Sequence, residues 1–220
     1  PPAAPAAETI PDHVRQLQTC REGILDPQIR PDDRRRWAEL LLSYDSPQAN
    51  ALIVELLTLS TRPDVQGTVC AALGVRSRGA PDRLDASFVD PLLTLLGADN
   101  EELRAAAARA LAESAGGDVP QRLGALASRA EAPMPKRLAA IDAMAPNTHR
   151  REVVGQLIEL LGLNVPEITD RVAAALEPIA PRSFGGGVQD WRGWWKDESG
   201  LREEAWLAEQ LRIYRDRSRR

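Results

Sequence analysis

Aromatic residues are scarce, at 4 % of the 220 residues. Sheets favour aromatic and β-branched side chains, so a chain rich in Ala and Leu and poor in aromatics points to close helix–helix packing. The two cysteines, Cys20 and Cys70, are too few and too far apart in the chain for a disulfide framework or a zinc site, and they read as small buried residues. The two histidines, His13 and His149, lie on separate segments, and neither has metal-ligand spacing. No run is long and apolar enough to span a bilayer. With a net charge of −4 there is no overall electrostatic case for nucleic acid or an anionic membrane. No Ser or Cys stands in a nucleophile turn, so catalytic, cofactor-binding and metal-binding residues are all assigned as none. Lys136 and Lys196 are the only lysines; the Arg bias accompanies the high Ala content and points to no function by itself.

What is present starts with a low-complexity Pro/Ala run over residues 1–11, without an initiating Met, which reads as a linker. Such a start leans towards an exported or periplasmic chain from which a signal peptide has been removed. The other end stops within a charged helical pattern, so the sequence reads as a piece of a longer protein. Asp12 can cap a first helix with Val14, Leu17, Ile24 and Leu25 on one side, before Pro27 and Pro31 interrupt it. A second helix is expected over 32–44, with Trp37, Leu40 and Leu41 inward. Ser46-Pro47 then supplies a cap followed by a first-turn proline for a third helix over 48–60.

An internal repeat follows. With Val65, Leu103, Lys136 and Ile168 set as equivalent, the residues four further on are Val69, Ala107, Ala140 and Val172. Eight further on they are Leu73, Leu111, Met144 and Leu176, so 0, +4 and +8 mark one apolar helix face. Thr61, Asp99 and Asn164 lie four before the reference as expected caps, with Asp99…Glu102 and Asn164…Glu167 at capping-box spacing. Pro63, Pro133 and Pro166 fall in the first turn. From Val65 to Leu103 to Lys136 to Ile168 the copies are 38, 33 and 32 residues apart. Further apolar helices are expected between them over 88–96, 119–130 and 151–161. Two helices per unit at this period predict an all-α fold: an α-solenoid of stacked antiparallel helix pairs. Counting back from Val65 places an earlier, divergent copy at Asp33.

The phrase ELRAAAARALA, at the head of the best-preserved copy, resembles the second helix of a short bacterial HEAT repeat. The resemblance covers roughly residues 31–180. It implies helices stacked with small residues at their contacts, an Asp/Arg ladder into which Asp99 and Arg104 fit, and a concave surface holding an extended partner. The copy at 132–144 departs from the pattern: it lacks a polar cap and carries Lys136 where the others are apolar. Residues 12–182 are therefore expected to form the HEAT-like helical repeats. Residues 183–220 are expected to form a glycine hinge, a Trp-rich capping helix and a charged terminal helix.

Four features lie outside the repeat pattern. The segment 75–87 reads as a turn-rich basic loop with Arg76, Arg78 and Arg83, either a surface insertion or a recognition loop. Gly185, Gly186 and Gly187 read as a hinge, since no Gly-Lys-Ser/Thr ending follows them. Trp191, Trp194 and Trp195 sit on one side of a short helix capped by Asp190, either covering the open end of the repeats or forming an exposed platform for a partner. The final helix carries Trp206, Leu207, Leu211 and Tyr214 on a stripe and ends in arginines.

The function expected from this pattern is a non-enzymatic protein-interaction scaffold. Exposed positions one residue after each reference, namely Gln66, Arg104, Arg137 and Thr169, would line the groove, joined by Arg76, Arg78 and the three tryptophans. Two Arg among the four favour an acidic protein or peptide, while the acidic overall balance of the chain disfavours nucleic acid. The alternatives are a lyase- or glycosylase-like enzyme on a HEAT scaffold, and a structural spacer in a longer exported protein.

Overall fold

The structure, a computed structural model, describes residues 12–76, 84–113 and 116–218. Among these residues it is all-α, with neighbouring helices packed on one another and no strand. The helices are α1 Asp12–Leu25, α2 Pro31–Ser43, α3 Pro47–Thr58, α4 Pro63–Arg76, α5 Ala86–Leu95 and α6 Glu101–Ala112. They continue with α7 Val119–Ser128, α8 Met134–Met144, α9 Arg151–Leu160, α10 Pro166–Leu176, α11 Val188–Glu198 and α12 Glu203–Ser218. The helices from α2 to α10 fall into two series. The even ones pack in order, α2 on α4, α4 on α6, α6 on α8 and α8 on α10. Odd helices pack as α3 on α5 and α7 on α9, and each sits against the even helix that follows it.

The repeat register is the register of the core. Val69, Ala107, Ala140 and Val172 are all 0 % exposed, and Leu73, Leu111, Met144 and Leu176 are at most 1 % exposed. Of the reference positions, Val65, Leu103 and Ile168 are buried, while Lys136 is half-buried. The divergent copy is α2, but one residue later than expected: Arg34, Ala38 and Leu42 are buried, rather than Asp33 and Trp37. Leu40, expected inward, is 42 % exposed.

Helix starts follow the prolines more closely than the polar caps. Ser46 caps α3 as expected, its side chain accepting from the Ala49 N–H, with Pro47 next. The caps of α6 and α10 fall one residue later than expected. Asn100, not Asp99, caps α6 by accepting from the Leu103 N–H at 3.1 Å. At α10 the residue before Pro166 must be extended, so Val165 takes the N-cap position and Asn164 turns left-handed at φ 54°. Asp190 lies inside the first turn of α11, and Gly187 holds its N-cap position.

Close helix contacts depend on missing side chains. A Cβ on Gly23 of α1 would stand 2.7 Å from Cδ1 and Nε1 of the Trp37 indole on α2. Gly23→Ala is expected to destabilise the protein by about 1–2 kcal/mol, because the rigid ring must move, although alanine alone is about 1 kcal/mol better in a helix. Gly193 of α11 has nothing within 4 Å of its added Cβ. Gly193→Ala is therefore expected to stabilise by about 0.5–1 kcal/mol. Urea denaturation of the pair checks the opposite signs, and the packing account fails if both substitutions stabilise.

Candidate interaction surface

The residues one after the reference do not form an open row. Gln66 is 5 % and Arg137 6 % exposed, whereas Arg104 and Thr169 are half-buried. Gln66 Nε2 donates to the Leu57 carbonyl at 2.7 Å and Arg137 Nε to the Ala127 carbonyl at 2.8 Å. Arg104 Nη1 donates to the Ala98 and Asp99 carbonyls at 2.7 and 3.0 Å. In three successive units, then, this side chain ties the even helix to the end of the preceding odd helix or the turn after it, satisfying carbonyls that have no partner within their helix. The expected exposure of Gln66 and Arg137 is corrected.

The correction follows from helix geometry. Successive residues turn by about 100°, so the 0, +4, +8 stripe centres near about 40°, and position +1 lies only about 60° from that centre. Positions +2 and +6 lie within about 20° of the opposite side. At +6 stand Leu40, Ala71, Arg109, Asp142 and Ala174, and all five are exposed. At +2 stand Arg36, Gly67, Ala105, Leu138 and Asp170, exposed or half-buried. The signal for this row was in the sequence of α4, α6 and α10, where small and polar residues stand opposite the apolar stripe, but not in α2, where Leu40 reads as inward.

Between α6 and α8 this face sinks into a hollow of about 440 Å³. Ala105, Ala108 and Leu138 are among its apolar lining residues, and Arg109, Asp142 and Arg171 are among its charged ones. Arg171 Nη1 of α10 donates to Asp142 Oδ1 of α8 at 3.0 Å, while Arg109 has no ion pair among the described residues. A larger hollow, about 710 Å³, opens between the α3–α4 and α5–α6 turns over Leu57, Pro63, Pro91, Leu95 and Leu103. Several polar groups at its wall are already used: Gln66 as above, and Thr58 and Thr94, whose hydroxyls donate to the Val54 and Asp90 carbonyls at 2.9 and 3.0 Å.

Ion pairs cross between helices, but not through the Asp99 carboxylate. Arg34 Nη1 of α2 donates to Asp64 Oδ2 of α4 at 2.6 Å, and Arg62 Nη2 donates to the same oxygen at 2.9 Å. The Arg62 hydrogen bond acts most strongly on the Asp64 carboxyl and lowers its pKa; burial opposes it, and the Arg34 hydrogen bond adds a smaller lowering, so the group is held well below its usual range. A carboxylate with a depressed folded pKa stabilises the fold above its unfolded value, about 3.9, and this is lost as pH falls towards the folded value. The Asp64 side chain is 44 % exposed. Screening then limits the expected cost of Asp64→Asn at pH 7 to about 1 kcal/mol. Denaturation midpoints of the two proteins are expected to converge below pH 4 and to stay apart above pH 5.

At the other end, Trp191 is 0 % and Trp194 8 % exposed, so these two do not form an open platform. Trp195 is half-buried and meets Trp206 edge-on at 5.8 Å. The glycine segment is a closed turn rather than a free hinge. The Gly187 N–H donates to the Phe184 carbonyl, and Trp191 Nε1 donates to the Gly185 carbonyl at 2.9 Å. Helix α11 packs on α9, and α12 packs on the short turn that follows α10. On α12 the inward residues are Trp206 and Ile213, whereas Leu207, Leu211 and Tyr214 are 44, 58 and 71 % exposed. Hydrogen bonds set this rotation: Trp206 Nε1 donates to the His149 carbonyl and Arg217 Nη2 to the Ala180 carbonyl.

Arg76 ends α4, and Arg78 lies outside the described residues, as does Arg83. Both cysteines are buried and free, and burial pushes the Cys70 thiol up to about 12. Among the described residues no group of three or more His, Cys, Asp or Glu gathers in a metal-binding arrangement, and no helix is long and apolar enough to cross a membrane. No family model matches the chain, and no curated protein matches it in sequence. Two engineered helical proteins with crystal structures from the Northeast Structural Genomics Consortium align with 90 % of this chain and 97 % of their own. Their identities to it are 19 and 18 %, with TM-scores of 0.43 and 0.42.

Proposed function

We propose that this chain is a HEAT-like α-solenoid that acts as a non-enzymatic interaction scaffold, holding an extended protein segment along the outward face of its even helices. One observation supports the reading most directly: the row Leu40, Ala71, Arg109, Asp142 and Ala174 stays exposed on five successive packed helices. Small side chains at Gly67, Ala71, Ala105 and Ala174 leave room for a backbone to approach the helices, and stacked helical repeats present extended surfaces of this kind. The preference for an acidic partner loses Arg104 and Arg137, which are hydrogen-bonded to main-chain carbonyls. It rests on Arg109, the one cation of the row, since Asp142 is paired with Arg171.

Peptides selected from a random display library against the whole chain are the test. Ala105→Trp fills the hollow between α6 and α8 and is expected to weaken the selected peptides by about tenfold or more, the effect of losing one buried contact patch. Gln121→Trp, on the exposed side of α7, is expected to leave them unchanged. Equal binding by both variants overturns the assignment of this face.

A further inference from the structure

The copy that breaks the repeat pattern does so beside a hollow that gathers positive charge. Where the other copies place Val65, Leu103 and Ile168, all at most 5 % exposed, α8 carries Lys136. Its stem runs along Gly97, at the turn between α5 and α6: a Cβ there would stand 3.0 Å from Lys136 Cδ and 3.5 Å from Cε. The glycine leaves open the lane that the lysine occupies. Lys136 reaches a hollow of about 310 Å³ that is also lined by Arg122 of α7 and by Arg129, which follows the end of that helix. The one carboxylate in the lining is Asp90 of α5, and it accepts a hydrogen bond from Arg122 Nη2. Three cations facing one carboxylate leave an excess of two positive charges, on a chain whose net charge is −4. Neither Lys136 nor Arg129 has an ion pair among the described residues.

We propose that this hollow binds a phosphate-class dianion, with Lys136 and Arg129 as its direct ligands and Arg122 held in place beside them by Asp90. An excess of two charges matches a single dianion. Arg122 lies on α7 and Arg129 just after its end, while Lys136 lies in the first turn of α8, so two successive helices supply cations to one hollow, and a group with several oxygens can use more than one of them. Arginine offers paired donors to such oxygens, and lysine a compact point charge. The site lies at the turn edge beside α5 and α7, away from the outward face of the even helices, so its failure would leave the scaffold reading untouched.

Calorimetric titration of the whole chain at low salt, with inorganic phosphate and with phosphoserine as probes, is the test. Saturable one-site binding is expected for at least one probe, weakening as salt rises because the charges are solvent-accessible. Lys136→Met and Arg129→Gln are each expected to weaken it about tenfold, as loss of a charged hydrogen bond does. Lys136→Met restores the apolar residue of the other copies, so it is expected to melt no lower than the parent, which separates lost binding from lost fold. Lys196→Met, the control at the other lysine, is expected to bind as the parent does. Tighter binding of phosphoserine than of phosphate assigns the site to a phosphorylated side chain, and equal or weaker binding assigns it to the free ion; either upholds the site. Absence of saturable binding with both probes, or equal affinity in the parent, Lys136→Met and Arg129→Gln, overturns it.

Discussion

Trp206→Ala is expected to cost about 3–5 kcal/mol, the range for truncating a fully buried large aromatic. The side chain is 1 % exposed and meets Trp194 and Trp195 with ring centroids 6.3 and 5.8 Å away. Its indole N–H is the donor to the His149 carbonyl at 3.0 Å, so truncation leaves both a cavity and a carbonyl without that partner. Two further contacts hold the same module, Arg217 to the Ala180 carbonyl and Arg151 to the Leu201 carbonyl. Loss of Trp206 is therefore expected to detach α12 while the repeats stay folded, giving a separate early transition in circular dichroism. Trp206→Phe keeps most of the ring but not the donor, and is expected to cost about 1–2 kcal/mol. A cost below about 1 kcal/mol for the alanine variant would falsify the account of α11 and α12 as a packed cap.

Ala107→Leu is the second large effect, expected to destabilise by about 2–3 kcal/mol. Leucine is nearly as good a helix former as alanine and more apolar, so propensity and transfer energy alone predict little harm or a gain. Space decides the outcome. Ala107 is 0 % exposed on α6, which packs against both α4 and α8. The α4 and α6 backbones approach closely: a Cβ on Gly74 would stand 3.9 Å from Cα of Ala110. Three extra carbons have no room there unless the helices separate. Ala105→Leu, two residues away on the outward face, is expected to change stability by no more than about 0.5 kcal/mol. Melting curves of both variants distinguish the two positions, and equal effects would contradict the packing order of the even helices.

The 0, +4, +8 stripe was legible because it needs only helical periodicity and side-chain type, and both are local. Its eight +4 and +8 residues are all buried. The final helix shows where this reasoning ends. Its stripe Trp206, Leu207, Leu211 and Tyr214 is apolar at helical spacing, yet three of the four are well exposed. Periodicity says that a helix has an apolar side, but the His149 and Ala180 carbonyls, supplied by other segments, decide which way α12 turns. Caps were displaced for a local reason: the backbone restriction before Pro166 outweighed the side-chain preference of Asn164.

The sequence by itself determined the helices, the pairing of each odd helix with the next even one, and the register in which α4, α6, α8 and α10 bury their apolar face, but not that of α2 or α12. Proline positions, alanine content and the 3.6-residue period act within a few residues of one another, and no distant neighbour is needed to read them. Only the tertiary structure decided which polar side chains are free. Gln66, Arg104 and Arg137 look like surface residues in the chain, but the ends of the preceding odd helices present carbonyls that bind them. Arg129 and Lys136, seven residues apart, became one charged hollow because Gly97 and Asp90, from an earlier helix pair, lie beside them. A carbonyl at the end of one helix and a cation on the next meet only when the helices stack, and no local rule carries that information.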